Sequence, residues 1–170
     1  PNTKSLQLDK AGITLDQKDF IPVNLKRRTI IPNIYAIGDV TGDPMLAHKA
    51  THEAKVAAEN ISGMNSYFEP TSIPSVIYTN PEIAWTGHTE EELKNKNIKY
   101  KKSIFPWSVS GRAITMGATN GKTKILCTED SSKILGVGIV GYNAGELISE
   151  AMLAIEMGAN IEDINLTIHP

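Results

Sequence analysis

Few residues in this chain have the type and spacing to do chemistry, and the richest stretch ends at Asp39. Tyr35-Ala36-Ile37 is a short apolar run that stops at Gly38-Asp39, followed by Thr41-Gly42-Asp43-Pro44 and then by an alanine-rich segment. This pattern predicts a buried strand, a glycine turn that delivers a carboxylate at the strand's C-terminal edge, and a helix starting just beyond it. In open α/β folds that edge is where ligands sit. A carboxylate there suits the hydroxyls of a sugar or ribityl chain. The unpaired N–H groups of the helix start suit a polar or anionic acceptor. The same two residues also fit an ordinary strand-turn-helix connection whose aspartate caps the turn, and Gly-Asp alone does not separate the two.

Other candidates are weaker. His48 and His52 lie four residues apart, a helical spacing that permits metal binding. Glu53 follows the pair instead of lying between its members, so the metalloprotease pattern is absent and a surface pair is expected. His88 opens a charged helix with no partner evident in the sequence. Cys127 is the single cysteine, which excludes an internal disulfide and a cysteine metal cluster. In a strand it reads as a small buried hydrophobe. Gly136, Gly138 and Gly141 lie in or at the end of a predicted strand and open no helix, so they read as sites of close backbone packing and not as a dinucleotide loop. His169-Pro170 closes the sequence.

The elements that must position these residues can be read in turn. Ile13–Leu15 and Phe20–Val23 alternate around Asp16–Asp19 and predict a β-hairpin, with Asp19 tolerating a left-handed turn. Lys26-Arg27-Arg28 reads as a solvated basic loop. Asp43-Pro44 predicts an N-cap and first helical position, with the helix running to about Asn60–Ile61 and stopped by Ser62-Gly63. Its alanines at 47, 50, 54, 57 and 58 fit close approach of a cofactor or of a sheet equally well. A compositional shift over residues 65–73 predicts a domain boundary near Glu69-Pro70. Beyond it we expect strands at 75–79, 83–86 and 99–105, and a helix capped by Thr89 and Glu92 that ends about Asn97. A hairpin over 122–141 and an amphipathic helix from Gly145 to Met157 follow, then a short turn at 161–164. An antiparallel sheet with helices is the α+β arrangement.

Composition narrows the classes. The 170 residues are 41% hydrophobic and 21% charged with a formal net charge of −2, which is ordinary globular composition. Nothing in that balance points to nucleic acid. No apolar run approaches the ~18 residues of a membrane span, and residues 1–30 show no signal-peptide pattern, so a cytoplasmic protein is expected. Pro1 in place of an initiator methionine leads us to expect a processed, excised or partial chain.

Residues 29–40, Thr-Ile-Ile-Pro-Asn-Ile-Tyr-Ala-Ile-Gly-Asp-Val, resemble the second flavin-contacting segment of the pyridine nucleotide–disulfide oxidoreductases. Met45-Leu46-Ala47-His48-Lys49-Ala50 is similar to the helix start that lies against the isoalloxazine in that family. Residues 77–87 and 105–113 closely resemble its interface domain. Ala154–Gly158 and Asp163–Pro170 are most similar to its bacterial branch that reoxidises dihydrolipoamide. The resemblance covers nearly the whole chain.

It implies an α/β remnant of the FAD- and NAD-binding domains in residues 1–68. An α+β interface (dimerisation) domain with an antiparallel sheet would follow in residues 69–170, truncated at its C-terminus. It implies a homodimeric flavoprotein oxidoreductase that carries electrons from protein-bound dihydrolipoamide through FAD to NAD. Its partners would be the lipoyl domains of 2-oxo acid dehydrogenase complexes, with no nucleic acid or membrane partner. Asp39 would accept hydrogen bonds from the ribityl chain, and Ala47 would offer its backbone N–H to the flavin pyrimidine ring. Met45, Leu46 and His48 are lesser candidates for the same surface. Each flavin site would be completed by a histidine–glutamate pair from the other subunit, the histidine deprotonating the substrate thiol.

In that branch the corresponding segment reads Ile-His-x-His-Pro-Thr, and its second histidine is the base. Ile168 aligns His169 with the first histidine and Pro170 with x, so the base is expected just after Pro170, with His169 as the fallback. The flavin and NAD glycine motifs and a redox cysteine pair are not in the sequence, so the chain alone is not expected to be active. Two alternatives stand beside this reading. One is another family member: a glutathione reductase, mercuric reductase or transhydrogenase. The other is a non-catalytic dimerisation module that works without cofactor.

Overall fold

The computed structural model describes residues 1–169, and the backbone divides into two compact units, Pro1–Glu69 and Pro70–Pro170.

The first unit is built mostly from turns around one helix. Ile13, Ile21 and Ala36 form its small core, with Leu8, Leu15, Val23, Ile31, Ile34 and Val40 packed against it. The expected hairpin closes at its turn but forms no ladder. Asp16 N–H donates to Phe20 O at 2.9 Å, the Asp16 carboxylate accepts from Lys18 and Phe20 N–H, and Asp19 is left-handed at φ 64. The arms then bond elsewhere. Ile13 N–H goes to Leu8 O and Ile21 N–H to Val40 O at 2.8 Å, and Pro22 has no N–H to give.

The expected strand at Tyr35–Ile37 is likewise only an extended segment. It is held by an isolated bridge from Arg28 to Tyr35 and by Ala36 N–H to Arg27 O at 3.1 Å. One narrow loop supplies its partners, too few for a ladder.

A 3₁₀ turn over Gly38–Thr41 leads to helix α1, Ala47–Ile61. The helix begins three residues after Pro44, not at it. Gly42 takes φ 113 and the Asp43–Pro44 peptide is cis. Leu46, extended at φ −135, then occupies the N-cap position expected of Asp43. The end falls as predicted, with Ser62 as C-cap and Gly63 left-handed at φ 88. Lys49, Glu53, Val56 and Ala57 are the buried stripe of α1, charged in its first half and apolar in its second.

The second unit is a five-stranded antiparallel sheet in the order β1-β2-β5-β4-β3. The strands are β1 Ser75–Ile77, β2 Glu82–Gly87, β3 Lys101–Pro106, β4 Lys122–Cys127 and β5 Ile134–Gly141. The β4–β5 hairpin is the predicted one, and β5 runs along β2 with Ala84 opposite Ile139 and Thr86 opposite Val137. Side chains alternate across a strand, so Ala84, Val137 and Ile139 share one face. Helix α4, Ala144–Glu156, lays Ala144, Ile148, Ala151, Ala154 and Ile155 into the same core.

A side chain at Gly141 would run into the Trp107 ring and one at Gly136 into the His88 carbonyl, while Gly138 faces open space. Close packing therefore explains two of the three strand glycines.

Helix α2, Glu90–Asn95, carries the predicted capping box of Thr89 and Glu92. It ends earlier than expected, with Lys96 as C-cap and Asn97 left-handed at φ 53. Two short helices were not anticipated: α3, Gly111–Thr115, capped by Ser110, and α5, Ile161–Leu166, with a capping box of Asn160 and Asp163. Among the described residues no helix is long and apolar enough to cross a membrane.

Candidate functional site

The glycine–aspartate turn and the start of α1 are brought together inside the first unit. Gly38 is left-handed at φ 76, and a Cβ placed there would lie 3.2 Å from the Ala50 Cβ. The turn therefore rests on α1 through the absence of one side chain and the smallness of another. This gives one of the alanines a definite task. Asp39 is exposed, and no described side chain hydrogen-bonds to its carboxylate.

Ala47 is the first residue of α1 and is exposed. No side chain caps this helix, and its first turn holds no acidic residue. The partial positive charge of the N-terminus is thus uncompensated by the helix's own side chains. Met45 is exposed and Leu46 half-buried beside it.

Sequence reasoning missed what lies beneath this edge. Glu53 is fully buried. Its Oε2 accepts the Gly38 N–H at 2.6 Å, and its Oε1 accepts from Arg27 Nη1 at 2.8 Å. Lys49 Nζ stands 3.4 Å from the same Oε1 and donates to Gly42 O at 2.8 Å. Thr41 Oγ1 is 3.4 Å from Oε1 as well.

Arg27 lies over the Phe68 ring at 4.8 Å, and its Nε is buried with no partner among the described residues. The expectation of a solvated basic cluster is therefore wrong for Arg27, whose side chain is 11% exposed. The Lys49–Glu53 spacing was a visible signal of an i,i+4 pair. Nothing local announced that Arg27 would join it.

His48 and His52 are exposed, with His52 against Phe68 at 6.3 Å between ring centroids. No group of three or more potential metal ligands occurs among the described residues. His88 Nδ1 stands 3.7 Å from Glu92, a partner one helical turn away.

Cys127 is buried, with the Lys101 carbonyl and the Ser131 hydroxyl each 4.0 Å from its sulfur. His169 is exposed and its Nε2 meets Glu150 Oε1 at 2.5 Å. That hydrogen bond raises the imidazole pKa above its ordinary value. Pro170 lies outside the described residues.

Chemically, the edge can accept hydrogen bonds from hydroxyl groups at Asp39 and donate backbone N–H groups at the head of α1. It offers no nucleophile.

Residues 73–170 match the family described as pyridine nucleotide-disulphide oxidoreductase, dimerisation domain, and residues 1–54 match the one described as pyridine nucleotide-disulphide oxidoreductase. The chain belongs to the pyridine nucleotide-disulphide oxidoreductases.

Among curated relatives, it is 57% identical over 169 residues to dihydrolipoyl dehydrogenase of Buchnera aphidicola subsp. Acyrthosiphon pisum, covering 99% of this chain and 36% of that protein. To the mitochondrial dihydrolipoyl dehydrogenase of Homo sapiens it is 47% identical, covering 99% and 33%. The crystal structure of LpdA from Mycobacterium tuberculosis superimposes with a TM-score of 0.90 at 26% identity, covering 100% of this chain and 37% of that one. The chain thus spans about a third of the length of the relatives it matches.

Proposed function

We propose that this chain is part of a dihydrolipoyl dehydrogenase, a cytoplasmic, homodimeric flavoprotein that reoxidises dihydrolipoamide on lipoyl domains and passes the electrons through FAD to NAD. The observation that carries this reading is the high identity to named dihydrolipoyl dehydrogenases over 99% of the chain.

The residues present fit a flavin. Gly38 lets the turn that bears Asp39 pack directly on α1 at Ala50, the Asp39 carboxylate has no side-chain partner among the described residues and suits ribityl hydroxyls, and the N-terminus of α1 has no side-chain cap. When bound, the flavin would supply the two-electron relay between the dithiol and the nicotinamide. Asp39 would hold the ribityl chain. The backbone N–H of Ala47 would serve the pyrimidine ring and favour negative charge there through the helix dipole.

The thiol base is expected just beyond Pro170. His169 would be the first histidine of that segment, two positions before the base and the fallback for it, and its Nε2 is engaged by Glu150. Residues 73–170, as a dimerisation domain, would join two copies, and the lipoyl-domain partners follow from the activity proposed.

The test is an assay of the complete gene product with FAD. We expect dihydrolipoamide-dependent reduction of NAD by a dimer. A product that binds no FAD, or that reduces glutathione disulfide and ignores dihydrolipoamide, overturns the assignment. Residues 70–170 have a hydrophobic core of their own, which favours the non-catalytic dimerisation module as the second reading. A colourless dimer in the same preparation would support that module.

A further inference from the structure

The buried cluster beneath the Gly38–Asp39 turn has no part in the roles above, and we infer that Glu53 is the positioning residue of the cofactor edge. This inference rests on the flavin reading just proposed.

A fully buried carboxylate is costly unless paired, and here its two oxygens divide the work. Oε1 takes the cations, Arg27 at 2.8 Å and Lys49 at 3.4 Å. Oε2 is left for the Gly38 N–H at 2.6 Å. Gly38 immediately precedes Asp39, so holding its amide fixes the left-handed turn from which Asp39 leaves the backbone. Lys49 binds Gly42 O at 2.8 Å and thereby ties down the loop that leads into Ala47. One buried anion thus holds both parts of the edge, the turn bearing Asp39 and the approach to the α1 N-terminus.

Packing alone does not require ions here. An apolar residue on the α1 stripe would fill the space, as Val56 and Ala57 do one turn further on. A charged triad in such a place makes sense when a particular geometry is required of its neighbours.

The test is a double-mutant cycle on the complete gene product, read as the FAD dissociation constant for wild type, Asp39→Ala, Glu53→Gln, Glu53→Asp and Asp39→Ala/Glu53→Asp. Glu53→Asp keeps the charge that Arg27 and Lys49 need but withdraws the carboxylate from Gly38 by one methylene. It carries the test if Glu53→Gln does not fold. We expect Glu53→Asp to weaken FAD binding by about tenfold and to speed hydrogen exchange at the Gly38 amide. The Asp39→Ala/Glu53→Asp variant should bind within roughly threefold of Asp39→Ala alone, because residues acting through one another do not add.

A folded Glu53→Asp protein with wild-type FAD affinity overturns the inference, and so do losses that simply multiply. If Asp39→Ala itself leaves FAD affinity unchanged, the flavin reading has failed, and the role of Glu53 falls with it.

Discussion

At the scale of single residues, the edge depends on two positions where a side chain is excluded or small. Gly38→Ala would place a side chain in the left-handed region and press it against Ala50. We predict a loss of about 1–3 kcal/mol in the first unit, measured by urea unfolding with a probe in residues 1–69. His169 gives a pH-dependent counterpart in the second unit. Its pKa is raised, chiefly by the hydrogen bond to Glu150. Its contribution is therefore fully present below the ordinary histidine value and is lost as pH rises through the elevated one. An NMR titration should show the His169 midpoint fall in Glu150→Gln; an unchanged midpoint would mean that the pair is not formed in solution. Asp39 was legible in the sequence because glycine before a carboxylate at the end of an apolar run is a local pattern. The Arg27–Glu53 pair was not, since 26 residues separate its members and only the fold closes the distance.

Between elements the same contrast holds. The Thr89–Glu92 capping box of α2 was readable because its bonds span three residues, and the Asn160–Asp163 box of α5 carries a similar signal in residues less often used for it. The hairpin at 13–23 was misread because the alternation that predicts a strand says nothing about where its N–H groups go. Here they go to Leu8 and Val40. The proline rule failed at Pro44 for a related reason: the loop closed by Lys49 on Gly42 O keeps the chain out of helix until Ala47. How α2 is tied to the sheet was also unreadable. Glu90 accepts from Lys124 on β4 at 2.9 Å, Lys102 on β3 at 3.1 Å, and the Tyr100 hydroxyl at 3.2 Å. The hydrogen bonds from Lys124 and then Lys102 hold its pKa at about 2. Because the folded value is depressed, this clamp contributes fully above the ordinary carboxylate value of 4.5 and is lost as pH falls through about 2. Glu90→Gln should flatten the acid dependence of the second unit's stability between those limits, as followed by chemical denaturation at a series of pH values. An unchanged acid dependence would show that the clamp is not the source.

For the whole molecule, the division near residue 69 and the antiparallel sheet of the second half could be anticipated from composition and from alternating strands. The strand order β1-β2-β5-β4-β3 could not, because β5, besides its predicted hairpin with β4, pairs with β2, a strand distant in sequence. The division of labour proposed for the parent enzyme follows the two units: a flavin edge in residues 1–69 and a dimerisation domain beyond it. That account makes the chain a part of a longer flavoprotein. The most direct measurement is the mass of the native gene product taken together with its visible absorption. The account predicts a polypeptide about three times this length with the yellow absorption of bound flavin. A mature, colourless product ending at Pro170 would contradict it.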